Sequence, residues 1–256
     1  MKKCAFCDAE AVEKGGEHIW DDWLNKELPK GRYHATKRLT IDSPVIRYTA
    51  TSLNEKLPVV CEKCNSGWMS ALTNKTKETF SRAMLKGEPF SLGARDAALL
   101  AAFTFMKAVV TNHSIDDDVF FTRAERERLR TSLAVPPLVK MWFAAYQGAA
   151  RFSTKNNLGI ISPNEPGPFY GMEFCSSSYV VGKLALQLLA PRWKDIRDKG
   201  KPRLTLSPNV YWQLAAIQFW PHNGTILSWP PEKYLGDNVI EAFIYRFNMP
   251  INVPIP

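Results

Sequence analysis

Four of the five cysteines in this chain fall into one repeated spacing, Cys4-Ala-Phe-Cys7 and Cys61-Glu-Lys-Cys64. Two residues between cysteines let both thiolates of a pair reach one ion from a single tight turn, and two such turns supply the four sulfurs of a closed tetrahedral zinc site. The insertion between the pairs, residues 8–60, is longer than that of a simple zinc ribbon, so it must be a folded element held at both ends. A redox reading of two C-x-x-C pairs would need a surrounding βαβ pattern, which is missing. A zinc ion with four thiolates has no open position and cannot activate water. Any chemistry must therefore come from other groups. The insertion carries Glu17-His18, and Asn65 follows the last cysteine directly.

A C-x-x-C, an acid-His dipeptide and a C-x-x-C-Asn in this order resemble the HNH endonuclease family of the ββα-metal fold. The string Cys61-Glu-Lys-Cys-Asn-Ser-Gly-Trp-Met69 resembles a zinc-knuckle subgroup of it. The resemblance covers about residues 4–72. It implies a metal-dependent endonuclease hydrolysing phosphodiester bonds, with DNA as the expected partner. It also implies that His18 is the general base and that Glu17 and Asn65 hold a catalytic divalent cation. Asn54 is the nearest counterpart of the family's middle asparagine. The residue types suit the task. A neutral imidazole can take a proton from water. Carboxylate and amide oxygens favour magnesium or manganese over zinc. The other reading is a non-catalytic zinc module that binds nucleic acid or protein, with His18 capping the zinc-site core and Glu17 a surface charge.

Geometry raises one objection. Neighbours in a regular strand point to opposite faces, so Glu17 and His18 converge only if the backbone departs from regular β there. Gly15-Gly16 makes such a departure easy. The elements around the motif are expected as follows. Val45–Thr51 and Leu57–Cys61 read as a hairpin around Asn54-Glu55-Lys56. Trp68, Leu72, Phe80 and Met84 give one apolar face of a helix ended by Gly87 and Pro89. A second helix runs from Arg95 to about Asn112; it is interrupted by Lys107 but apolar on most sides, hence buried. Thr122 and Glu125 form a capping box for a third. Strands are expected near 139–146, 158–161, 170–175, 179–188, 210–219 and 225–228, and a last helix from Asp237 to Phe247.

The fold class expected is α+β: a zinc-stapled ββα-metal, treble-clef-like N-terminal unit over residues 1–88, then a mixed helix and antiparallel-strand domain over 89–256. The second unit could select a target, form homo-oligomers or sense a ligand. The formal net charge of +8 suits a polyanion but is also common for solubility alone. Lys30, Arg32, Lys37 and Arg38, between the Glu-His dipeptide and the expected hairpin, are the candidate nucleic-acid contacts. The basic stretch from Arg192 to Arg203 is a weaker one, because Asp195 and Asp198 dilute it. Neither a signal peptide nor a bilayer-spanning run is read from the sequence, so the expected location is the cytoplasm, where paired cysteines are metal ligands more often than disulfides.

Overall fold

A computed structural model describes residues 3–12, 16–28, 33–37, 46–50, 56–113, 119–148, 152–161, 171–194 and 214–244. The fold is a mixed α+β arrangement of helices and mainly antiparallel strands, with a four-cysteine cluster that could hold zinc.

The chain starts with the first knuckle, followed by β1 (Glu17–His18) and the short helix α1 (Asp22–Glu27). Strands β2 (Tyr33–Lys37) and β3 (Ile46–Ala50) pair with each other, and β4 (Lys56–Leu57) pairs antiparallel with β1. This corrects the expected hairpin. The two segments on either side of residues 51–55 are extended but do not pair with each other: β3 pairs with β2, and β4 pairs with β1 because the second knuckle returns the chain to the first. Backbone bonds make that return explicit: Ala5 N–H donates to Val59 O at 2.8 Å and Val12 N–H to Val60 O at 3.1 Å.

The second knuckle opens a helix in three parts. A short turn α2 (Glu62–Cys64) runs into a wider π-turn (Asn65–Met69) that kinks at Gly67, and α3 (Ser70–Lys86) follows. Leu72, Thr76, Phe80, Ala83 and Met84 form the buried stripe of α3, as the four-residue spacing predicts. Gly87 ends it at φ 74°, a left-handed position suited to glycine. After β5 (Phe90–Leu92) comes α4 (Ala94–Asn112), buried on nearly every side from Leu100 onward. Helix α5 (Arg123–Ser132) begins with the expected capping box: the Thr122 hydroxyl accepts from Glu125 N–H, and the Glu125 carboxylate accepts from Thr122 N–H.

The remaining strands are β6 (Lys140–Tyr146), β7 (Phe152–Ile161), β8 (Gly171–Val181), β9 (Leu184–Lys194), β10 (Ala216–Trp220), β11 (Leu227–Trp229) and β12 (Tyr234–Leu235), before a last helix α6 (Asp237–Ile244). The main sheet has the order β10-β6-β9-β8-β7, with β12 parallel to the end of β6. It is covered on both faces. Met141, Phe143, Leu184, Leu186 and Leu188 join a core with α3, α4 and the knuckles. Trp142, Ala144, Tyr146, Ala185 and Leu189 pack with Ile240, Phe243 and Ile244 of α6 on the other. Double burial explains why the run at 184–189 is apolar apart from the buried Gln187, which hides its period. Trp229 is buried in the first core and stacks on Phe90 at 5.4 Å. The first core is continuous across residue 88.

The run 179–188, read from sequence as a single strand, is two strands joined at Gly182-Lys183. Gly182 has φ 56°, and a Cβ there would lie 1.9 Å from Met84 O. The turn docks on the end of α3 through a 2.7 Å bond from Lys183 N–H to Met84 O. Replacing Gly182 with alanine adds left-handed strain and this backbone collision, so urea denaturation should show a loss of at least ~2 kcal/mol.

Candidate metal centre and adjoining cleft

The four cysteine sulfurs all lie within 4.8 Å of one another. Cys7 Sγ is 3.5 Å from Cys61 Sγ and 3.7 Å from Cys64 Sγ. A tetrahedron with Zn–S bonds of about 2.3 Å has sulfurs about 3.8 Å apart, so the donor set and its spacing fit zinc. Two backbone amides point at sulfur, Phe6 N–H to Cys4 Sγ at 3.5 Å and Cys64 N–H to Cys61 Sγ at 3.4 Å, as tight turns around a metal require. Burial pushes the Cys4 and Cys64 thiols up, whereas hydrogen bonds from the Cys64 amide and the neighbouring cysteines outweigh burial and hold the Cys61 thiol down. The fifth cysteine, Cys175, is buried in the main core and lies within 3.8 Å of the Asn112 amide, apart from this cluster.

The cluster is clamped from outside. Phe6 meets Trp68 edge-on at 4.9 Å, which fixes the first knuckle on the kinked start of the long helix. Arg126 of α5 donates to the Ala5 carbonyl within the first knuckle and lies 2.8 Å from His113 Nε2 at the end of α4. Arg123 pairs with Asp8 next to Cys7.

Beside the cluster is an open cleft of about 370 Å³. Glu17, His18 and Asn65 all line it, together with Asp21, Asp22, Glu62 and Asn74. Asn65 sits in the π-turn directly after Cys64, and its Nδ2 donates to Gly16 O at 3.3 Å. That bond ties the second knuckle to the start of β1. Gly16 has φ 96°, and a Cβ there would come within 2.2 Å of Leu57 O. Only glycine can turn the chain into β1 against β4, so the backbone departs from regular β next to the dipeptide. The strand itself is two residues long, and both residues line the cleft.

Glu17 is not a surface charge. It is 7% exposed, and its Oε1 accepts a 2.7 Å bond from Lys107 Nζ. Lys107 is 3% exposed and also donates to His18 O at 2.9 Å and to Asp21 Oδ1 at 2.7 Å. An ammonium has three N–H groups, and each has a partner. Burial works against the charge on Lys107, but Asp21 and Glu17 outweigh it and hold the ammonium above its ordinary range. Burial pushes the Asp21 carboxyl up, against the pull of Lys107. Tyr179 of β8 is buried beside these acids, and burial raises its hydroxyl well above the usual tyrosine range.

Sequence reasoning passed over Lys107 and Asp21. Lys107 interrupts an apolar helix, and a lone lysine in a buried helix signals a buried acid somewhere without saying where. Asp21 precedes α1 in the N-cap position, the usual reason for an aspartate there, yet its side chain makes no capping bond. Among the proposed nucleic-acid contacts, Lys37 ends β2, while Lys30, Arg32 and Arg38 lie outside the described residues, as does Asn54. Arg192 pairs with Glu125 at 2.8 Å and stacks over Phe120 at 4.6 Å, so it is engaged inside the fold; residues 195–203 of that basic stretch lie outside the described residues. Among the described residues no helix is long and apolar enough to cross a membrane.

Comparison of the chain with protein-family models, with curated proteins and with solved structures gives no match in any of the three. The purified protein should carry one zinc ion per chain by elemental analysis, and Cys64→Ala should lose it. Because the ligands must shed protons to bind, zinc should leave more readily as the pH falls, read by a chromogenic chelator at a series of pH values.

Proposed function

We propose that this chain is a metal-dependent endonuclease of the HNH type that hydrolyses phosphodiester bonds, with DNA as its substrate. One observation carries the reading: Glu17, His18 and Asn65 line a single cleft beside the four-cysteine cluster. The order of elements is in keeping with it. The antiparallel pair β1–β4 is followed at once by the helix that starts at the second knuckle, which is the ββα arrangement the motif requires.

Each residue then has a task. His18 accepts a proton from the attacking water, at a position set by the short strand and by the bond that holds its carbonyl. Glu17 and Asn65 supply hard oxygen donors, a carboxylate and an amide, to a divalent cation. A magnesium or manganese ion held there would supply charge stabilisation at the leaving oxygen. The zinc cluster would act through position alone, by setting Asn65 against Gly16 and the dipeptide. The zinc, the nuclease activity and the nucleic-acid partner are all parts of this one reading.

One observation favours the competing reading, a zinc module that binds nucleic acid or protein without cutting. Glu17 already has a buried cationic partner in Lys107. Incubation of the pure protein with supercoiled plasmid and magnesium or manganese separates the two. Under the nuclease reading the plasmid is nicked, and His18→Ala slows nicking by ~100-fold or more while its zinc content stays unchanged. Activity that survives His18→Ala intact removes the proposed base. Binding without nicking at any metal concentration selects the zinc module.

A further inference from the structure

We infer that Lys107 of α4 is the positioning residue of the cleft: its ammonium holds one oxygen of Glu17 and the backbone of His18, and so leaves the other Glu17 oxygen for the divalent cation. The inference rests on the nuclease reading and deepens it.

Three features lead to this role. The first is the use of the ammonium. Lys107 bonds Glu17 Oε1 at 2.7 Å, His18 O at 2.9 Å and Asp21 Oδ1 at 2.7 Å, so one side chain fixes both residues of the dipeptide and the entry to α1. The second is an unmet polar atom. Asp21 is 5% exposed and lines the cleft, and its Oδ2 is buried with no hydrogen-bond partner. That oxygen lies next to the cleft where the cation is proposed, and burial makes leaving it unmet costly. The third is the habit of metal sites. A ligating carboxylate is itself held by an outer hydrogen bond, and loss of that bond costs ~10–100-fold in metal affinity.

A purely structural lysine would behave differently, and the sign of the effect separates the two. Removing a positive charge beside a cation site strengthens cation binding by Coulomb's law alone. Removing a positioning contact weakens it. The measurement is manganese titration of the full-length, zinc-loaded protein, followed by the paramagnetic resonance of free Mn2+. Lys107→Met is compared with wild type. The same change is also made in an Asp21→Asn background, where a single buried acid is left and the loss of the ammonium is easier for the fold to bear. Zinc content and circular dichroism report the fold of each variant.

Lys107→Met should weaken Mn2+ binding ~10–100-fold in either background, with one zinc retained. Binding that is unchanged or tighter, in a variant that keeps its zinc and its helical signal, overturns the positioning role and leaves the nuclease reading standing. A wild-type protein that takes up no Mn2+ overturns both.

Discussion

A lysine in the middle of a helix that is buried on nearly every side cannot be left uncompensated. Helix α4 is packed among α3, the main sheet and the N-terminal elements, and Lys107 is almost fully buried. Removing one partner from a buried ion pair costs about 3–5 kcal/mol, because the charge left behind has nowhere to go. The chain answers by bringing two acids and a carbonyl from residues 17–21 to the one ammonium. That demand fixes where β1 and the start of α1 sit against the rest of the molecule.

The four cysteines act on the same segment from its other side. They join the first knuckle to the second and so place Asn65 against Gly16. The Glu-His strand is thus held at two points, by the sulfur cluster through Asn65 and by α4 through Lys107. Two residues of β structure would not hold a geometry alone, since an isolated short pair is marginal in water. Here the tertiary environment supplies the rigidity. The helices that carry these contacts, α4 and α5, lie well past residue 88. The later part of the chain therefore shapes the cleft directly: Lys107 grips the dipeptide, and Arg126 holds the turn between Cys4 and Cys7.

Glu17 shows how the same contact can support two functional readings. A buried carboxylate with an ammonium partner is what a structural ion pair looks like. It is also what an oriented metal ligand looks like, because a carboxylate has two oxygens and one bond to lysine occupies only one of them. Neighbouring Asp21 has one oxygen on the same ammonium and the other buried without a hydrogen-bond partner.

Much of this was legible in the sequence. The paired C-x-x-C spacing named the sulfur cluster, because two residues between thiolates is a local geometric condition. The helices α3, α4 and α5 could be read from apolar spacing and from the Thr122–Glu125 capping box, which depend only on near neighbours. Glu17, His18 and Asn65 stood out by their order around the cysteines. Strand partners were another matter. β4 was expected to pair with the segment just before it, yet it pairs with β1, because the knuckles bring distant backbone together and local turn signals carry no information about that. The hairpin at Gly182 was hidden for a related reason: both faces of β9 are buried, so its apolar run has no visible alternation. The partner of Lys107 was beyond sequence altogether. A buried charge announces that a countercharge must exist, but only the packing of α4 against β1 decides which acids, 86 and 90 residues away in the chain, provide it.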